Sequence, residues 1–347
     1  MTKKKTQALC VPLSSAESVR RALRHQQLLR NDVAPIKDET CIYFPIKKVP
    51  TDVTGYTVVT KVFEMRHRKP RSYKGLLKLP EKYMDELPTS YDIVGKIILI
   101  KLPKTLTKYK EDIGNALLET HKNIQTVCLI DPVSGELRIR TITIIAGKTQ
   151  TLTTHTEYGL SFDVDVATTY FSPRLASERK RITTLVRPGE TVVDMFAGVA
   201  PFSIMIARFS KPKKVYAIDK NKEAIRLARQ NIKKNHVLDI VEIIHADAND
   251  AVKMLPEKAD RIIMNLPFLA YRFFSTALSI AAPFCKIHYY DILQEKEIKE
   301  RISFLKKIAA DKKYILSDIK VHTIKSYAPR EFYIGLDITA TKHADVA

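Results

Sequence analysis

The 347-residue sequence predicts an α/β protein whose C-terminal part is a parallel sheet with a terminal antiparallel hairpin, preceded by two smaller α/β (α+β) domains. Three observations carry this. After residue 170, short β-branched runs alternate with helical periods, an arrangement that demands parallel strands joined by crossovers. The last two strand-like runs, 319–324 and 332–338, have no helix between them and therefore pair antiparallel. Residues 66–74 combine Pro70 with dense positive charge and no apolar period, the composition of a linker. The domains then span residues 1–65, 75–168 and 169–347.

In the first domain, residues 8–13 predict a strand, and Ser14 with Glu17 has the spacing of a capping box opening a helix. That helix turns Val19, Ala22, Leu23 and Leu29 inward and Arg20, Arg21, Arg24 and Arg30 outward. Residues 41–46 and 57–63 add strands. The arginine face is either plainly solvated or an RNA contact, and the same two readings hold for the basic linker. In the second domain, residues 94–100 predict a buried strand and 105–121 a helix. Residues 126–130 and 137–145 are strands on either side of a turn at 131–135, and a further strand begins at Thr151. Arg138 and Arg140, two apart, share one side of a strand. They either keep a sheet edge soluble or form a cationic site for a base oxygen or a phosphate.

Lys and Arg number 58 against 38 Asp and Glu, a formal charge of +20 that favours a polyanionic partner, with nucleic acid first. The four cysteines, Cys10, Cys41, Cys128 and Cys285, lie far apart without a C-x-x-C pair, so neither a disulfide framework nor a metal site is predicted. The basic start meets only a brief apolar patch before Pro12, too short for a signal segment, and no run reaches membrane-spanning length. A cytoplasmic protein is expected, a monomer with no evident protein partner.

In the third domain, Thr191-Val-Val-Asp194 leads through Met-Phe196-Ala-Gly198 into an apolar helix, a strand-turn-helix corner of the kind that meets ligands. With one glycine, and Phe202 where phosphates would need backbone, the loop is no dinucleotide fingerprint. A phosphate-free nucleoside cofactor, S-adenosylmethionine, fits better. Asp219 ends the second strand, placed for the ribose hydroxyls, and Lys220 follows it. Asp247, beside Ala248, ends the third and could accept the adenine amino group. Asn265-Leu266-Pro267-Phe268 follows the fourth. Polar residues on four successive strand tips, Asp194 included, are far more specific than any one alone, and the terminal hairpin is the habit of the class I methyltransferase variant of the Rossmann-like sheet.

These residues resemble the archaeal-type tRNA (guanine-37, N1)-methyltransferases across nearly the whole chain. The resemblance rests on Arg138-x-Arg140, on Tyr170-Phe-Ser-Pro-Arg-Leu-x-x-Glu178-Arg179, on Asp194-Met-Phe-Ala-Gly-Val, on Asn265-Leu-Pro267 and on Val321-His-Thr-Ile-Lys-Ser-Tyr-Ala-Pro329. It implies a first domain that docks the tRNA elbow, with cofactor and anticodon region held by the other two. It implies cofactor contacts from Arg179, Asp219, Asp247 and Asn265, to which Phe196, Gly198, Lys220 and Ala248 are neighbours. Glu178 is then the general base, and Arg138 or Arg140 stabilises the guanine oxygen. Asn265 with the Leu-Pro turn orients the reactants, and Tyr170, Pro267 or Phe268 receives the extruded base. Family members usually carry glycine where Ala200 stands. Rival readings are an exocyclic-amine methylase, a wyosine-pathway enzyme acting at the same tRNA position by methyl or aminocarboxypropyl transfer, and a non-catalytic RNA-binding protein.

Overall fold

A computed structural model describes residues 3–50, 55–65, 72–131, 140–250 and 253–343. They form two compact units, Met1–Gly75 and Leu76–Ala347.

In the first unit, β1 (Lys3–Pro12), β2 (Ile36–Lys37), β3 (Cys41–Pro45) and β4 (Thr57–Glu64) make an antiparallel sheet in the order β2, β3, β1, β4, covered by α1 (Ala16–His25). Helix α1 buries Ala16, Val19 and Leu23 against Leu9, Val11, Phe44 and Ile46. Two expectations change here. Ala22 is exposed, and Leu29 lies beyond the helix in a bridge to Ile46. The capping box does not form: a single helical turn, Leu13–Ser15, precedes α1, and Glu17 instead accepts from Arg20 (3.0 Å) and Arg21 (3.2 Å). Of the segment read as a linker, residues 66–71 lie outside the described residues, and Tyr73 is buried in a helical turn, Tyr73–Leu76.

The second unit contains three sheets. The smaller ones are β5 (Asp92–Val94), β6 (Ile97–Ile100), β7 (Thr126–Ile130) and β8 (Ile142–Gly147), in that order, and a hairpin of β9 (Leu152–Glu157) and β10 (Leu160–Asp165). Helices α2 (Glu81–Met84) and α3 (Lys110–Thr120) accompany them. The turn at 131–135 falls largely, and Arg138 wholly, outside the described residues. Arg140 precedes β8 rather than sitting within a strand, which corrects the strand reading at that position.

The third sheet has seven strands: β11 (Thr191–Asp194), β12 (Lys214–Asp219), β13 (Val241–His245), β14 (Ala259–Met264), β15 (Ala281–Gln294), β16 (Tyr314–Ala328) and β17 (Glu331–Lys342). Their order is β13, β12, β11, β14, β15, β17, β16, parallel as far as β15 and antiparallel beyond. Helices α4 (Ala176–Leu185), α5 (Pro201–Phe209), α6 (Lys222–Lys234), α7 (Phe274–Ile280) and α8 (Ile298–Asp311) complete it. Val192, Val193, Ile262 and Ile263 are all buried, as central strands covered on both faces must be. The closing strands run well past 319–324 and 332–338 because backbone pairing continues through polar residues that hydropathy does not mark. Among the described residues, no helix is long and apolar enough to cross a membrane.

One apolar core runs from Val94 and Cys128 through Phe162 and Val192 to Tyr333. Helix α6 adds a polar seam. Asn231 accepts from the Asp163 amide (2.7 Å) and donates to its carbonyl (3.1 Å) and to that of Val199 (3.2 Å). Asn235 does likewise for Ser161, at 3.0 and 2.8 Å. Both side chains therefore act as a surrogate strand for β10. Asn231→Ala is expected to cost about 2–4 kcal/mol, since it orphans buried backbone groups as well as losing its own bonds; denaturant unfolding measures it.

Candidate active site

The carboxyl ends of β11, β12, β13 and β14 open onto one cleft of about 1090 Å³, open space included. The corner after β11 needs two left-handed residues, Gly198 (φ +57) and Ala200 (φ +64, just before α5). Gly198 meets this without strain, and its amide donates to Asp219 Oδ2 at 2.7 Å. Ala200 is the departure from the expected glycine. It is fully buried and does not line the cleft, so its methyl leaves the opening clear.

Arg179, Phe196, Gly198, Asp219, Lys220, Asp247, Ala248 and Asn265 all line this cleft, as does Tyr170. Asp194 does not. It is fully buried beneath the loop, accepting from Ser203 Oγ at 2.8 Å, and burial pushes its carboxyl up to about 7. Only three of the four polar strand tips therefore face the cleft.

The residues present fit a nucleoside cofactor. Asp219 accepts one backbone amide on each oxygen, Gly198 on Oδ2 and Asn221 on Oδ1 (2.8 Å). The Lys220 backbone is a third donor, so of the roughly four acceptor positions of a carboxylate one remains for a ribose hydroxyl. Burial raises the Asp219 carboxyl above its ordinary range, while backbone donors and Lys220 oppose the rise. Phe196 and Phe273, edge to face at 5.1 Å, line an apolar wall. Asn221 caps α6 by accepting from the amides of Glu223 and Ala224, which fixes the end of the Asp219 loop.

Arg179 is 2% exposed and is held by Glu157 through Nε (2.9 Å) and Nη2 (2.5 Å), with Nη2 also donating to the Ser172 carbonyl (3.0 Å). Burial alone would raise the Glu157 carboxyl, but hydrogen bonds from His155 and Arg179 more than offset this and leave it below its ordinary value. Nothing local in the sequence singles out Glu157, 22 residues before its partner.

Glu178, next to Arg179 on α4, is 7% exposed and is not among the cleft-lining residues. Its carboxylate accepts from Arg181 and from Tyr290. Asn265 Oδ1 accepts from the Tyr333 hydroxyl. Phe268 is 45% exposed in the left-handed region (φ +72), edge to face with Tyr327 at 5.6 Å. The Phe268 amide donates to buried Asp291 at 3.0 Å, and Asp291 in turn accepts from Tyr289 (2.6 Å) and Arg301. Pro267 and Phe268 stand beside the cleft, next to Asn265 and Leu266 in it, but do not line it. The guanidinium of Arg140 lies 5.7 Å from the Tyr170 ring centre, and its buried Nε has no hydrogen-bond partner among the described residues. Asp291, Tyr290 and Tyr333 were not singled out from the sequence; they come from β15 and β17, where alternation predicts a face but no partner.

Known proteins share this arrangement. The family model of the TRM5/TYW2 methyltransferase domain matches residues 153–317. Models of a TYW2 N-terminal domain and of the tRNA methyltransferase 5 N-terminal domain match residues 74–151 and 8–54. The tRNA (guanine(37)-N(1))-methyltransferase Trm5b of Pyrococcus abyssi is 39% identical over 337 residues, which is 96% of this chain and 98% of that protein. The structure of a complex of aTrm5 and tRNALeu matches with a TM-score of 0.83 at 34% identity, over 96% of this chain and 99% of that one. A tRNA(Phe) (4-demethylwyosine(37)-C(7)) aminocarboxypropyltransferase of Methanocaldococcus jannaschii is 34% identical over 248 residues, 71% of this chain and 96% of that protein. With a likeness that runs almost end to end, the chain belongs to the TRM5/TYW2 family, among its tRNA (guanine-37, N1)-methyltransferases.

Proposed function

We propose that the chain transfers the methyl group of S-adenosylmethionine to N1 of guanosine 37 in tRNA. The observation that carries this reading is the convergence of Asp219, Asp247, Arg179 and Asn265 on one cleft, with Glu178 adjoining Arg179 on α4. S-adenosylmethionine supplies an electrophilic methyl group and is consumed as the donor. Asp219 would hold its ribose, Asp247 its adenine and Arg179 its carboxylate.

Guanine N1 carries a proton at neutral pH, so its electron pair attacks only as a base removes that proton. Glu178 takes the proton, the N1 pair forms the new bond to the methyl carbon, and the carbon–sulfur bond breaks with its electrons going to sulfur. Negative charge passes to O6, and Arg138 or Arg140 stabilises it, the closeness of Arg140 to the cleft-lining Tyr170 supporting this reading. Asn265 and the turn at Pro267 orient the base, and Tyr170 or Phe268 stacks on it once it leaves the helix. The +20 charge suits a protein working on tRNA.

The test is methyl incorporation into tRNA transcripts that differ only at position 37. Product identified as 1-methylguanosine, and lost when adenosine stands at 37, supports the reading; an aminocarboxypropyl product or an exocyclic N-methyl base overturns it. Asp219→Ala is expected to weaken S-adenosylmethionine binding by roughly 10- to 100-fold in titration calorimetry, the worth of one or two hydrogen bonds to a charged group.

A further inference from the structure

We propose that Tyr290 and Tyr333 are positioning residues that hold the base and Asn265 in one frame, and that Oε2 of Glu178 is the atom that takes the proton. This deepens the methyl-transfer reading and rests on it. Glu178 Oε1 accepts from the Tyr290 hydroxyl (2.7 Å) and from Arg181 Nη2 (2.8 Å), while Oε2 accepts from Arg181 Nε (2.8 Å). Each carboxylate oxygen has two acceptor directions. Oε1 is thus filled, and Oε2 keeps one direction for the guanine N1 proton.

Arg181 has a second carboxylate partner, Asp337, at 2.7 and 3.1 Å. Asp337 also meets His288 Nδ1 (2.6 Å) and His322 Nε2 (2.9 Å). Arg181 therefore stays anchored when Glu178 gains a proton, and the carboxyl keeps its orientation through the step.

The tyrosines join this assembly to the cleft. Tyr333 donates to Asn265, and its ring stacks on that of Tyr290 at 6.1 Å and 30°. Tyr290 also packs 6.1 Å from Phe202, a cleft-lining residue. The pairing of β15 with β17 sets Tyr290 opposite Gly335 and Tyr333 opposite Ile292, so the rings are diagonal neighbours on one face. Gly335 makes the room: a Cβ there would come within 3.2 Å of Tyr290 Cε1.

The full-length chain with a G37 transcript tests this by single-turnover rate, S-adenosylmethionine calorimetry and thermal melting. Tyr290→Phe is expected to slow methyl transfer about 10- to 100-fold with cofactor affinity unchanged and melting lowered only by the worth of one buried hydrogen bond. Tyr333→Phe also slows transfer, and Gly335→Ala, which pushes the Tyr290 ring aside, reproduces Tyr290→Phe. A Tyr290→Phe enzyme with the parent rate overturns the proposal, and so does loss of cofactor binding in step with rate, which would make the tyrosines mere scaffolding. If the parent chain itself forms no 1-methylguanosine, the methyl-transfer reading fails instead.

Discussion

Glu178→Gln is expected to lower the single-turnover rate of methyl transfer roughly 100- to 10,000-fold, the usual worth of a general base, with cofactor affinity held within about twofold. The substitution keeps the side chain's size, and Arg181 keeps Asp337, so the surrounding frame survives. What disappears is an acceptor basic enough for the N1 proton. Methylation of an exocyclic amine needs no such base, so a near-normal rate would remove the N1 mechanism and favour that rival. Rapid quench with labelled donor gives the rate, and calorimetry gives the affinity.

Glu157→Ala is expected to be the most damaging change to stability, about 3–5 kcal/mol, because it leaves the Arg179 guanidinium buried without its carboxylate. Cofactor binding should fall with it, since Arg179 lines the cleft and is aimed by Glu157. The same pair predicts acid sensitivity. The Glu157 carboxyl sits below its ordinary value when folded, so its contribution is complete above the ordinary carboxylate range near 4.5 and is lost as pH falls through the folded value. Denaturant unfolding at neutral pH and at pH 4 measures both effects; an unchanged midpoint in Glu157→Ala would show the pair to be dispensable.

The parallel sheet and its cleft were legible because each strand is a short β-branched run ending on a polar residue, and Asp219, Asp247 and Asn265 stand where those runs stop. Asp194 follows the same pattern yet lies under the loop, since the corner at Gly198 turns over it. The capping box failed because Leu13 to Ser15 spend their backbone on a tight helical turn before α1 begins. The supports of the site were not legible at all. Glu157 reaches Arg179 across 22 residues, and Tyr290 reaches Glu178 across 112. Such contacts are made by sheet register and helix docking, which a one-dimensional pattern does not encode.

The asparagine seam on α6 also decides how this chain is best recombined. A chimera joined at residue 168 would present Asn231 and Asn235 to a foreign β10 whose backbone need not match their spacing. A joint between Gly147 and Leu152, ahead of β9, carries the hairpin along with the helix that clasps it. Donor segments cut there keep the clasped hairpin whole, and the apolar core shared with Val94 and Cys128 is the surface that must still match.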